Sequence, residues 1–210
     1  MHDNIVSLKS KIYLFRVTYK RQRNILLEYE DICKKYGYKL KCSYGGIRPI
    51  KKKNLNANAG LFNFQSIVIT PEWIYQLIFN EDTELVRNAL LGTIGHEISH
   101  KLGNIKGIKK FELWVNEVHC DFKSATITLN NDREKLIQGI RFKTEFKAKT
   151  NPNILTKQSG DHPSWEQRLD YISNYNYDEK LIRRIAKDTK CSDENRIQKV
   201  INQFEPIILE

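Results

Sequence analysis

No apolar run in the chain approaches the roughly 18 residues that a membrane-spanning helix needs. The first 20 residues alternate charged and apolar side chains, where a secretory signal would be continuously apolar. Cysteine is scarce: Cys33, Cys42, Cys120 and Cys191 are widely separated and form no C-x-x-C pair. In a chain of 210 residues that argues against a disulfide framework and predicts reduced thiols in a cytoplasmic protein. Internal repeats and low-complexity tracts are also lacking. With 40% hydrophobic and 29% charged residues, the sequence predicts a globular domain with a real core.

Acidic residues are sparse in one region only. Residues 1–55 carry 14 Lys/Arg against 4 Asp/Glu, and the remainder balances, so the whole net charge of +10 sits in the N-terminal quarter. Such a segment is either a solvated helix face or a contact for an anionic partner: nucleic acid, a membrane surface or an acidic protein. No nucleic-acid motif and no aromatic-interleaved basic patch accompanies it.

Periodicity predicts a long helix over 4–36, a strand over 38–44 turned by Gly45-Gly46, and a loop or poor edge strand with Pro49 over 47–55. A β-rich run follows at 65–70. Helices are expected over 71–79, 83–102, 110–129, 132–147, 163–174 and 178–204, with a long loop at 148–162. The organisation is 1–55 as a basic helix and first strand, 56–175 as a core and 176–210 as a helical extension, together one compact domain.

Within the helix at 83–102 stands His96-Glu97-Ile98-Ser99-His100, an H-E-x-x-H pattern. Residues four apart share a helix face, so His96 and His100 can aim two imidazoles at one metal ion. Glu97 lies about 100° further round, beside the metal, where it can take a proton from an attacking water. Leu85, Ala89, Leu90, Ile94, Ile98 and Leu102 can share a buried face of the same helix. The pentapeptide by itself also fits a surface helix that carries two histidines by chance.

A catalytic zinc site keeps three protein ligands. Glu117 and Asp121 lie four apart on the next helix and share a face. Glu117 can be the third ligand, and Asp121 can accept from the outer nitrogen of a ligand histidine. His119 competes for the third place but diverges from Glu117 by about 200°. Cys120 is a softer rival, or a buried structural thiol. Further on, His162 precedes Pro163 at a helix start, where its ring could stabilise an oxyanion. Arg168 could pair with a carboxylate.

Taken together, these blocks resemble gluzincin metallopeptidases of the HtpX and CAAX-prenyl-protease type. Asn56-Ala57-Asn58-Ala59-Gly60 and the strand Ile67-Val68-Ile69 resemble that family's N-A-x-A segment and edge strand. His96 to His100 matches H-E-x-x-H. Glu117 to Asp121 matches E-x-x-A-D, with Cys120 in place of alanine. Asp161 to Arg168 matches T-H-P-x-x-x-x-R, with Asp161 in place of threonine. The ImmA/IrrE-like zinc peptidases are also similar, through H-E-x-x-H and a partial fit of Glu117 to Ala125.

The resemblance implies an α+β zincin-like fold: a small, mostly antiparallel sheet, two active-site helices and a helical C-terminal part. It implies one Zn2+ held by His96, His100 and Glu117, with Glu97 as general base and Asp121 and Arg168 behind the ligands. It implies His162 near the oxyanion. Asn56, Ala57, Asn58 and Ala59 would bind an extended peptide or protein substrate by strand addition. The expected function is zinc-dependent endopeptidase activity. The alternative is a non-proteolytic, zinc-containing binding module that uses residues 1–55. A latent enzyme, its cleft covered by the N-terminal helix or the 148–162 loop, is a third form.

Overall fold

The computed structural model describes residues 23–42, 55, 57–58, 65–103, 107–149 and 152–210. In chain order these form α1 (Arg23–Lys35), β1 (Lys39–Cys42), β2 (Ala57–Asn58), β3 (Ser66–Ile69), α2 (Pro71–Phe79), α3 (Thr83–Leu102), α4 (Lys110–Thr128) and α5 (Arg133–Ala148). A 3-10 turn at Pro152–Ile154 leads to α6 (Trp165–Asn174), α7 (Glu179–Asp188) and α8 (Glu194–Ile201). The architecture is α+β. No helix among the described residues is long and apolar enough to cross a membrane.

Helix α3 is central, packed against α4 on one side and α5 on another, with α2 and the sheet also against it. Its sequence requires this placement, because apolar side chains occupy more than one stripe. Val86, Leu90, Ile94 and Ile98 are fully buried, and Asn88, Thr93 and Ser99 are buried with them. Each large aliphatic so buried stabilises the fold by roughly 1.5–3 kcal/mol. Asp82 caps the helix by accepting from Leu85 N at 2.9 Å. Leu102, expected on the buried face, is the last residue of the helix and is 53% exposed.

Two glycines allow the close packing. A Cβ on Gly139 would stand 3.0 Å from Ala89 Cα, so α5 lies almost backbone to backbone on α3. A Cβ on Gly95 would stand 2.9 Å from the Ser124 carbonyl oxygen and from Thr128 Oγ1 on α4. Alanine at 95 gains helix propensity of about 1 kcal/mol. Overpacking against a backbone atom costs about 1–3 kcal/mol and wins, because that carbonyl cannot rotate away. Gly95→Ala is therefore expected to lower the urea midpoint, and an equal or raised midpoint would refute this close approach.

The sheet corrects the expectation of mostly antiparallel pairing. Its order is β1-β3-β2. The longer pairing is parallel, Lys39↔Ser66 to Cys42↔Ile69, and only the short Ala57↔Ile69 and Asn58↔Val68 pairing is antiparallel. The chain between Cys42 and Ser66 is long enough for a crossover, which parallel neighbours require. The expected Gly45-Gly46 turn and the helix before Arg23 lie outside the described residues.

The helix expected over 178–204 is two helices. Lys190 adopts a left-handed φ of 59°. Asp193 then caps α8 by accepting from Arg196 N at 3.1 Å. Arg196 in turn reaches back to the buried Glu112 near the start of α4, with Nε 3.0 Å from Oε1. Arg133 fastens the C-terminal part to α5 by donating to the carbonyls of Tyr175 at 3.1 Å and Leu209 at 3.3 Å.

Candidate metal centre

His96 and His100 project from the last turns of α3, and Glu117 from the middle of α4. The helices cross where Gly95 leaves room, so the three side chains meet, their ligand atoms all within 4.8 Å of one another. His96 Nε2 lies 3.1 Å from His100 Nε2 and 3.4 Å from Glu117 Oε2, and His100 Nε2 lies 3.3 Å from Glu117 Oε1. A tetrahedral zinc with bonds of about 2.0–2.1 Å separates its ligand atoms by about 3.3 Å. The observed separations fit that edge length.

Tautomers support the same fit. His96 Nδ1 lies 2.9 Å from Asp121 Oδ1, and the ionised Asp121 can only accept. The proton of neutral His96 is therefore on Nδ1, and Nε2 turns its lone pair toward His100. Two ring nitrogens at this distance need a proton or a cation between them. Burial alone would drive His96 toward neutrality, but hydrogen bonds to Asp121 and Glu117 outweigh it and raise the imidazole to about 9. Burial likewise opposes ionisation of Glu117, and the hydrogen bonds of His100 and His96 hold it well below the usual carboxylate range. A divalent cation would displace the proton and leave both ligand types in their binding forms.

Behind the ligands, Asp121 is held by Arg168, whose Nε donates to Oδ2 at 2.7 Å while Nη2 donates to Oδ1. Both side chains are buried, and the guanidinium carbon lies 4.5 Å from the Trp165 ring centre. Burial raises the Asp121 carboxyl, but Arg168 and His96 overcome this and hold it at about 2. Helix α6 delivers Arg168 because Ser164 and Gln167 form a reciprocal capping box that starts the helix just after Pro163.

His162 stands beside the group, half-exposed, with Nε2 3.4 Å from Glu117 Oε1 and Nδ1 3.0 Å from Asp161 Oδ1. Its turn is fixed by Ser159, whose Oγ accepts from His162 N at 3.0 Å and whose carbonyl accepts from Trp114 Nε1 at 3.2 Å. Glu97 is half-buried next to His96, and its charge is felt at Cys120 and Lys143. Ala57 and Asn58 form β2, the sheet edge that packs nearest α3, whereas Asn56 and Ala59 lie outside the described residues. The basic segment 1–55 also falls largely outside them.

The rival ligands part from the cluster. His119 turns its ring to Tyr177, 5.0 Å between centres, and its Nδ1 has no hydrogen-bond partner among the described residues. Burial, with Lys123 and His100, lowers its imidazole to about 4. His119→Phe is accordingly expected to leave zinc uptake intact, while Glu117→Ala lowers it by more than tenfold. Equilibrium dialysis of both variants checks this, and the reverse ranking would make His119 the ligand.

Two features escape the sequence reading. Cys120 places Sγ 3.3 Å from His100 Nδ1, on the side away from the cluster. Lys143 of α5 lines a cavity of about 20 Å³ behind His96, together with Asn88, Thr93, Asp121 and Arg168. That space holds about one water molecule. Burial, then Lys147 and Arg168, push the Lys143 amine down to about 7. Spacing assigns neither contact: Cys120 stands in the Glu117–Asp121 block without a partner there, and Lys143 is in no motif, so only the packing of α4 and α5 on α3 reveals what each touches.

No family model matches the chain, and neither a curated protein nor a solved structure does so.

Proposed function

We propose that the protein is a zinc-dependent metalloendopeptidase of zincin-like fold. The observation that carries the reading is the His96–His100–Glu117 cluster, whose ligand atoms are spaced for a tetrahedral cation and whose histidine His96 is oriented from behind by a buried carboxylate. Structural zinc sites close with four protein ligands, whereas a three-ligand set leaves a position open for chemistry. Zinc, when bound, would supply a Lewis acid that acidifies water and polarises a carbonyl.

The chain's own residues would do the rest. His96 Nε2, His100 Nε2 and Glu117 would hold the ion. Asp121 keeps the proton of His96 on Nδ1, and Arg168 keeps Asp121 ionised and in place. The Glu97 carboxylate, one residue along from His96 on α3, would take the proton of the attacking water and pass it to the leaving amine. His162, half-exposed at the rim beside Glu117, would stand near the oxygen on which charge develops. The β2 strand, with Ala57 and Asn58 at the edge of the sheet among the described residues, would align an extended peptide by main-chain hydrogen bonds.

A quenched-fluorescence library of mixed-sequence peptides tests the reading. The expected outcome is cleavage that a chelator abolishes and added zinc restores. A folded, zinc-loaded protein that cleaves nothing in such a library, or cleavage indifferent to the chelator, would overturn it.

A further inference from the structure

We propose that Cys120 is the positioning residue of His100, doing for that ligand what Asp121 does for His96. The proposal rests on the metal-centre reading above. Consecutive residues of α4 thus brace the two histidines of α3. Asp121 Oδ1 meets His96 Nδ1 at 2.9 Å, and Cys120 Sγ meets His100 Nδ1 at 3.3 Å. The second distance is longer because sulfur is larger than oxygen, and it is normal contact for an N–H donor on sulfur.

The geometry assigns the direction of the bond. His100 Nε2 faces His96 Nε2 and Glu117 Oε1, so a cation in the cluster takes the lone pair of Nε2. Neutral imidazole then carries its proton on Nδ1. Nδ1 points at Cys120, whose sulfur must accept. Cys120 is fully buried, so no water competes for that proton. His100 is the most exposed of the three ligand side chains, 25% against 12% for His96 and 11% for Glu117. Without the sulfur, the His100 ring would be held among the described residues from its Nε2 side alone, by His96 and Glu117. Cys120 is not itself a ligand in this arrangement: it lies on the far side of the His100 ring from the cluster.

The bracing is unequal. A buried carboxylate locked by Arg168 holds His96, and a neutral thiol, a weak acceptor, holds His100. His100 is therefore the ligand whose orientation is easiest to lose, and substitutions at 120 should act on metal affinity rather than on the fold.

The test compares wild type, Cys120→Ala and Cys120→Ser, each metal-free and correctly folded by its circular dichroism. Zinc affinity is measured by competition with a chromophoric chelator, and the absorption spectrum is recorded with Co2+ in place of zinc. The expected result is about tenfold weaker zinc binding in Cys120→Ala, most of it recovered in Cys120→Ser, whose hydroxyl also accepts. The cobalt spectrum of wild type should lack a sulfur-to-cobalt charge-transfer band. Equal affinity in wild type and Cys120→Ala would overturn the proposal, as would a serine variant no tighter than alanine. A charge-transfer band would overturn it by making Cys120 a ligand. These failures leave the metal centre standing, whereas a wild type that takes up neither ion would sink the functional reading itself.

Discussion

Glu97→Gln is expected to lower peptide hydrolysis by at least a hundredfold while zinc remains bound. Glutamine has the shape of glutamate but cannot accept the proton of the attacking water, and loss of general-base catalysis typically costs 10²–10⁴-fold. Zinc should stay because the ligand atoms belong to His96, His100 and Glu117. Side-by-side turnover and metal content of the variant check both halves. Wild-type turnover in a zinc-loaded Glu97→Gln protein would remove Glu97 from the mechanism. Loss of zinc in the variant would make Glu97 a ligand instead of a base.

The second large effect is on stability. Arg168→Ala leaves Asp121 buried without its strongest cationic partner, and breaking such a pair from one side costs about 3–5 kcal/mol. Both side chains are under a tenth exposed, so solvent screening relieves little of this. The sign with pH follows from the carboxyl. Asp121 is depressed in the folded chain from 3.8 to about 2, so its stabilisation is present above pH 3.8 and disappears as pH falls through 2. The deficit of Arg168→Ala should therefore be full at neutral pH and shrink in acid, as Asp121 takes a proton in both proteins. Urea unfolding of the metal-free proteins between pH 7 and about 1.5, below the Asp121 value of about 2, measures it. A constant deficit across that range would mean that Arg168 stabilises by packing on Trp165 rather than by its charge.

Much of the candidate centre is legible in the sequence, because helix spacing is arithmetic. His96 and His100 share a face once 83–102 is read as a helix, and Glu117 and Asp121 share one on the next. The structure brings these four residues together with Arg168 and His162. What helix spacing cannot supply is how one helix faces another. Cys120 meets His100 only because α4 crosses α3 at Gly95, and a glycine in a helix does not announce which neighbour it admits. The choice between Glu117 and His119 has the same character: the two side chains diverge on α4, and the packing of α3 decides which one enters the cluster.

The departures in the fold have equally local causes. Alternating side chains mark a strand but say nothing of its direction, so the parallel pairing of β1 with β3 was not readable from either run. Apolar spacing continues from Ile182 and Ile185 to Ile197 and Val200, which reads as one helix. The break comes from Lys190, whose left-handed backbone no side-chain pattern signals, and from the Asp193 cap.

Zinc content tests the metal centre most directly. Wild type and His96→Ala, purified and reconstituted alike, would be compared by elemental analysis. The prediction is about one zinc per chain in wild type, the single-site value, and almost none in the variant. Wild type without zinc after reconstitution, or His96→Ala retaining it in full, would contradict the metal centre and every function built on it.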